Sequence, residues 1–124
     1  MEPVPKIRIS TCNKAPERKD GAYILYWMIA NRRLQENFAL QRAVELANHH
    51  GIGLLIFEPL RTDYEWASDR IHRFIIDGMC DHEARCAEDD VKARYYSYVE
   101  PALDAGKGAL EAMARNARVV VTDD

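Results

Sequence analysis

Short apolar runs alternate with stretches of helical periodicity, and this recurring order constrains the chain more than any other feature. Ala22-Tyr23-Ile24-Leu25-Tyr26-Trp27-Met28 is a continuous run of apolar and aromatic side chains. It is too short for a free-standing helix and rich in strand formers, as expected of a strand buried on both faces. Leu54-Leu55-Ile56-Phe57 is a second such run, closed by Pro59, and Val119-Val120-Val121 is another. Tyr95 to Val99 is aromatic but less apolar, which suits an edge strand.

Between these runs the period turns helical. Across residues 31–50, Leu40, Ala43, Val44 and Ala47 fall on one helix face, with Asn31 as N-cap and Gly51 as a left-handed stop. Asn37 lies inside this predicted helix, either facing solvent or tying down the neighbouring loop. Thr62 followed by Glu65 has the spacing of a capping box for a second helix. Its core face would be Ile71, Phe74, Ile75, Gly78, Met79 and His82. Pro101 opens a third, with the stripe Leu103, Gly106, Leu110, Met113 and Ala117; Gly106 and Gly108 weaken its first half, leaving 107–116 as the firm part.

The order β-α-β-α-β-α-β with short connections predicts an α/β domain. It would be a Rossmann-like, doubly wound parallel sheet with right-handed crossovers, truncated after the fourth strand. A chain of 124 residues has room for one such domain. Residues 1–21 carry three prolines and no sustained period, so an extended arm is expected there and the domain over 22–124. Because the sequence stops just past the fourth strand, the chain reads as a fragment, or as a domain whose open strand edge is covered by the arm or a partner. A bare edge would also favour self-association.

The charge balance narrows function. Seventeen basic against 20 acidic side chains give −3. The first 20 residues hold five basic and three acidic groups, so the remainder carries −5. An acidic body has no counterion-release drive toward nucleic acid, so direct DNA binding by this domain is not expected. There is no apolar run of membrane-spanning length and no secretory signal pattern, and the three cysteines form no regular framework. A cytoplasmic protein is expected, with no membrane association.

Chemistry is sparse. The turn Met28-Ile29-Ala30-Asn31-Arg32-Arg33 contains no glycine, so neither a dinucleotide fingerprint nor a P-loop is present. Cys80, His82 and Cys86 are badly spaced for zinc, since six residues on a helix separate the two sulfurs by about 600° of rotation. They read as buried core residues, and His72 as a surface or core histidine. Tyr95, Tyr96 and Tyr98 read as edge-strand packing. No catalytic residue and no metal ligand is assigned. In doubly wound sheets, ligands sit outside the carboxyl ends of the strands. The candidate cofactor-binding residues there are Met28, Ala30, Arg32 and Arg33 after the first strand, Glu58 after the second and Asp123 after the fourth. The two arginines could equally be solvated residues at a helix start.

Tyr26-Trp27-Met28-Ile29-Ala30-Asn31-Arg32-Arg33, with Asn37-Phe38-Ala39-Leu40, Ala43 and Ala47-Asn48, resembles the start of class II DNA photolyases. Ala67, Arg70, Phe74, Ile75 and Gly78 fit a later stretch of that family, Val120-Val121-Thr122-Asp123 its V-V-T-D strand end, and Arg8-Ile9 and Asn13 a short motif ahead of the domain. Phe38, the Asn31-Arg32 turn and Asp124 depart from the family pattern. The resemblance implies the N-terminal α/β domain of flavoenzymes that reverse cyclobutane pyrimidine dimers with light. It implies a possible antenna chromophore, a deazaflavin or a folate, held at the strand ends. FAD, the lesion pocket, DNA binding and the electron-transfer tryptophans would belong to a helical partner domain, in cis or in trans. Trp27 and Trp66 have no counterpart among those tryptophans. The same residues are also compatible with a stand-alone binding or scaffold module without chromophore.

Overall fold

Four strands, β1 (Tyr23–Trp27), β2 (Gly53–Leu60), β3 (Ala93–Val99) and β4 (Ala117–Thr122), form one all-parallel sheet in the computed structural model. The structure describes residues 2–62 and 67–123. The sheet order is β3-β2-β1-β4. Helices α1 (Phe38–His50) and α2 (Asp69–Cys86) carry the crossovers outward from β1 to β3, and α3 (Ala109–Ala114) carries the return to β4. The expected α/β, Rossmann-like architecture is what the chain adopts.

Strand periodicity divides the core into two layers. Ile24, Tyr26 and Met28 of the first strand region face α1 together with Leu54 and Ile56 of β2, meeting Ala43 and Ala47. Leu25, Phe57 and Ala117 face the other way, toward Leu110 and Met113 around α3. Ile24, Leu25 and Tyr26 are wholly buried, which explains why β1 is apolar at every position. Full burial of each such side chain contributes roughly 1.5–3 kcal/mol before entropy is counted.

Several boundaries differ from expectation. The strand β2 does not close at Pro59 but runs through it to Leu60, paired with β3 by Pro59↔Tyr98 and Leu60↔Val99. Helix α1 starts at Phe38, six residues later than an N-cap at Asn31 would place it. Its N-cap is Asn37, not Asn31, and the Asn37 side chain accepts from the Leu40 N–H. The stop at Gly51 is as expected, left-handed with φ 65°. The N-cap of α2 is Ser68, accepting from the Ile71 N–H; Glu65 of the proposed capping box lies outside the described residues, as do Trp66 and Asp124.

Of the core face predicted for α2, Met79 and His82 are buried, while Phe74 is 80% exposed and Ile71 39%. Only the last turns of α2 reach the sheet core. The third helix is shorter than predicted: residues 101–108 form turns, Leu103 is exposed, and Ala117 opens β4 instead of closing a helix stripe. Cys80 is exposed, against the reading of buried cysteines.

The arm is anchored at points, with one 3-10 turn at Lys6–Arg8. Val4 is buried, and its N–H donates to the Glu45 carboxylate at 2.7 Å. The Arg18 N–H reaches the Arg118 carbonyl beside a register shift in β4. A Cβ on Gly21 would sit 2.3 Å from the Arg118 nitrogen, so the chain passes here only because this residue has no side chain.

Candidate functional site

Two buried carboxylates organise the rim formed by the carboxyl ends of the strands. Asp123 follows β4 and is 8% exposed; Glu58 lies in β2 and is 1% exposed. Buried carboxylates need donors, and each has recruited a full set.

Around Asp123 the donors are mostly backbone. The N–H groups of Ile29, Ala30 and Asn31 donate to its two oxygens at 3.1, 2.8 and 3.0 Å, and the Tyr26 hydroxyl donates at 2.7 Å. The turn after β1 is thereby wrapped on an internal anion. In glycine-rich nucleotide-binding folds, the N–H groups of this turn hold phosphate instead. Burial alone would raise the Asp123 carboxyl, but the donors from Ala30, Tyr26, Asn31 and Ile29 outweigh it and hold it below its ordinary value. The Tyr26 phenol is pushed well up, chiefly by burial, and Asp123 and Glu58 add to the rise against Asn37. Asn37 continues the chain of contacts: its amide nitrogen reaches Tyr26 Oη at 2.9 Å and the carbonyls of Asn31 and Arg33 at 3.1 and 3.0 Å. The helix cap, the turn and the end of β4 are therefore one unit.

Around Glu58 the donors are side chains from three different elements. His82 Nδ1 of α2 lies 2.8 Å from Oε1, the Tyr95 hydroxyl of β3 donates to the same oxygen, and Arg32 donates to Oε2 at 3.1 Å. Arg32 also binds the Pro59 carbonyl at 3.0 Å. Burial, then the Glu58 contact, pushes the Tyr95 phenol well up, so it remains a neutral donor. The side chain of Arg32 is 22% exposed and links this cluster to solvent.

Of the six rim residues singled out in the sequence, the structure joins Arg32 to Glu58 and the backbone of Ala30 to Asp123. Met28 is wholly buried in the core layer under α1. Ala30 and Arg33 are exposed, and Arg33 turns away from both carboxylates to bind the Glu36 carbonyl at 3.0 Å. His82, Tyr95 and Tyr26 were missed as members of the site; Asn37 sits at the N-cap and not inside the helix, and of its two expected roles the tie to the neighbouring loop is the one it plays. Glu58 itself was the available signal: a carboxylate in an apolar strand predicts partners among the polar residues of flanking elements. No cluster of metal-ligating side chains occurs among the described residues, and none of their helices is long and apolar enough to cross a membrane.

Over 85 residues the chain is 33% identical to a deoxyribodipyrimidine photo-lyase of Methanothermobacter thermautotrophicus. The chain contains a photolyase-related region. The match takes in 68% of the chain but 19% of the archaeal protein, so the chain spans about a fifth of the length of that relative. No protein-family model matches the sequence.

Proposed function

We propose that the chain is the N-terminal, antenna-type α/β domain of a class II photolyase-like protein and does not repair DNA by itself. The observation that carries this reading is the 33% identity over 85 residues, on a chain whose fold is a parallel sheet with a polar rim. In that role the domain would pair with a helical domain, in cis or in trans, that supplies FAD, the lesion pocket and DNA contacts. The acidic charge beyond the arm is in keeping with DNA binding elsewhere.

An antenna pigment, a deazaflavin or a folate, would supply light absorption. Glu58 is already engaged by Arg32, His82 and Tyr95, and Asp123 by the turn after β1, so the groups left to meet such a molecule at the rim are the exposed side of Ala30, the guanidinium of Arg33 beyond its contact with the Glu36 carbonyl, and the open side of Arg32. The residues available fit the anionic tail of a pigment better than its ring system. A second reading, a binding or scaffold module without pigment, draws support from that same internal satisfaction of the rim.

Visible absorption of the purified chain after incubation with deazaflavin or folate separates the two. A retained, red-shifted pigment band is expected for an antenna domain; a colourless protein after gel filtration overturns that reading in favour of the scaffold. Sedimentation at rising concentration tests the accompanying proposal that an open β4 edge leads to self-association, which a strictly monomeric profile would sink.

A further inference from the structure

Helices α1 and α2 lie over the same face of the sheet yet make almost no contact with each other. The first packs on β1, β4 and the near side of β2, the second mainly on β3 and on Glu58 of β2 through His82. The gap between them is a groove of about 510 Å³. Leu54 and Ile56 of β2 form its floor, Leu40 and Val44 of α1 one wall, and Cys86 at the end of α2 the other. Burial pushes the Cys86 thiol up, against a weaker pull from Arg85, so this wall stays uncharged. The volume falls in the range of roughly 300–1,000 Å³ in which proteins bind small molecules.

Charge at the groove's lower end, below the start of β2 and β3, selects the occupant further. Arg85 is neutralised by Asp90 in a two-pronged contact at 2.9 and 3.1 Å, with Glu88 at 3.2 Å. Lys92 also lines the groove and has no ion-pair partner among the described residues. An extended peptide laid over Leu54 and Ile56 would bring backbone polar groups onto a floor of hydrocarbon side chains, at a desolvation penalty. A compact molecule with one acid group meets no such penalty.

We infer that this groove binds a small amphipathic organic anion, its apolar body against Leu54, Ile56 and Val44 and its acid group on Lys92. The site lies apart from the rim carboxylates and does not depend on the photolyase reading. The probe that tests it is anilinonaphthalene sulfonate, a flat aromatic body with one negative charge, followed by fluorescence titration and by methyl chemical shifts of the folded chain. Saturable one-site binding is expected, with shifts at Leu40, Val44 and Leu54. Lys92→Glu, a change at an exposed side chain, should weaken the probe about tenfold or more. The same substitution should leave uncharged phenylnaphthylamine unaffected. Val44→Phe, at a position 40% exposed, should fill the groove and abolish binding of both probes with the fold intact. Absence of saturable binding overturns the inference. So do equal affinities for wild type and Lys92→Glu, or shifts centred away from the groove, on a second, smaller cleft lined by Trp27, Phe57 and Tyr98 or on the exposed Phe74.

Discussion

Asp123 and Glu58 stand at the same rim of the same sheet, both buried and both fully provided with donors, yet they are held in different ways. Asp123 is held by consecutive backbone N–H groups of one turn and by one phenol. Glu58 is held by side chains from α2, β3 and the loop after β1. The first arrangement fixes a loop conformation independently of which side chains that loop carries. The second clamps three separate elements and depends on the identity of each residue. Arg32 is the hinge between them, since its backbone belongs to the loop shaped around Asp123 and its guanidinium to Glu58.

The largest expected effect follows from removing the backbone-held anion. Asp123→Ala leaves three loop N–H groups and the Tyr26 hydroxyl without their acceptor, and hydrogen bonds to a charged group are each worth about 1.5–3 kcal/mol. Because the loop is near the surface and can recover water, a net loss of roughly 3 kcal/mol is expected, read as a lower urea midpoint with unchanged slope. The pH dependence has a defined sign. The Asp123 carboxyl lies below its ordinary value of 3.8 in the folded chain, so its contribution is complete above that value. It is lost as pH falls through the lower, folded value. Asp123→Asn should therefore flatten the acid limb of the stability profile below pH 3.8. An acid limb identical to wild type would show that the carboxylate is not the anchor.

Glu58→Gln probes the side-chain-held cluster and is expected to lose less, roughly 2 kcal/mol. The amide keeps the shape and one acceptor oxygen, while its NH2 is set against a donor from Arg32 or from the His82 and Tyr95 pair. A signature distinguishes this from simple destabilisation. Resonances of His82 and Tyr95 should move together with those of Arg32, whereas the turn at Ile29 to Asn31 should keep its shifts. If the turn moves as much as the clamp, the two networks are one and the contrast drawn between them fails.

How much of this was legible in the sequence depends on the range of the interaction. Strands β1, β2 and β4 and the stop at Gly51 were readable because continuous apolar runs and a glycine at a left-handed position act locally. The start of α1 was not. Residues 31–36 have no pattern that forbids helix, and what ends the loop at Asn37 is its amide's contact with Tyr26, itself bound to Asp123, 97 residues away. Periodicity likewise found the apolar stripe of α2 but not which part of it meets the sheet. With 18 residues that helix is roughly 27 Å long, against roughly 23 Å for the seven-residue β3 beneath it, and its first turns leave Phe74 in solvent. The candidate rim was legible as a place, since Arg32, Glu58 and Asp123 all lie there. Its wiring was not, because His82 and Tyr95 look like ordinary core and edge residues until α2 and β3 are in position.

Asn37 offers a smaller test of the Asp123 side. Asn37→Ala removes the N-cap, worth about 1 kcal/mol, together with the tie to Tyr26 and to two loop carbonyls. Asn37→Asp keeps the capping oxygen but cannot donate to those three oxygens. A loss of about 1 to 2 kcal/mol in both variants is expected, with Asp no better than Ala. Should Asp restore wild-type stability, capping alone would explain the residue and the loop tie would be incidental.

The smallest expected effect separates two neighbours that the sequence presented as a pair. Arg32 is a member of the Glu58 clamp; Arg33 is exposed and its guanidinium holds the Glu36 carbonyl, within the same loop. Removing Arg32 leaves the Glu58 charge with one donor set missing, so Arg32→Ala should approach the Glu58→Gln loss. Exposed side chains outside such networks usually alter stability by less than about 0.5 kcal/mol, and Arg33→Ala should fall there. That near-silence makes Arg33 the useful probe of recognition. Its substitution leaves both carboxylate networks untouched, so any loss of pigment or partner binding in Arg33→Ala reports a direct contact with the guanidinium. A stability loss in Arg33→Ala as large as in Arg32→Ala would place both arginines in the clamp and leave Arg33 no separate role in recognition.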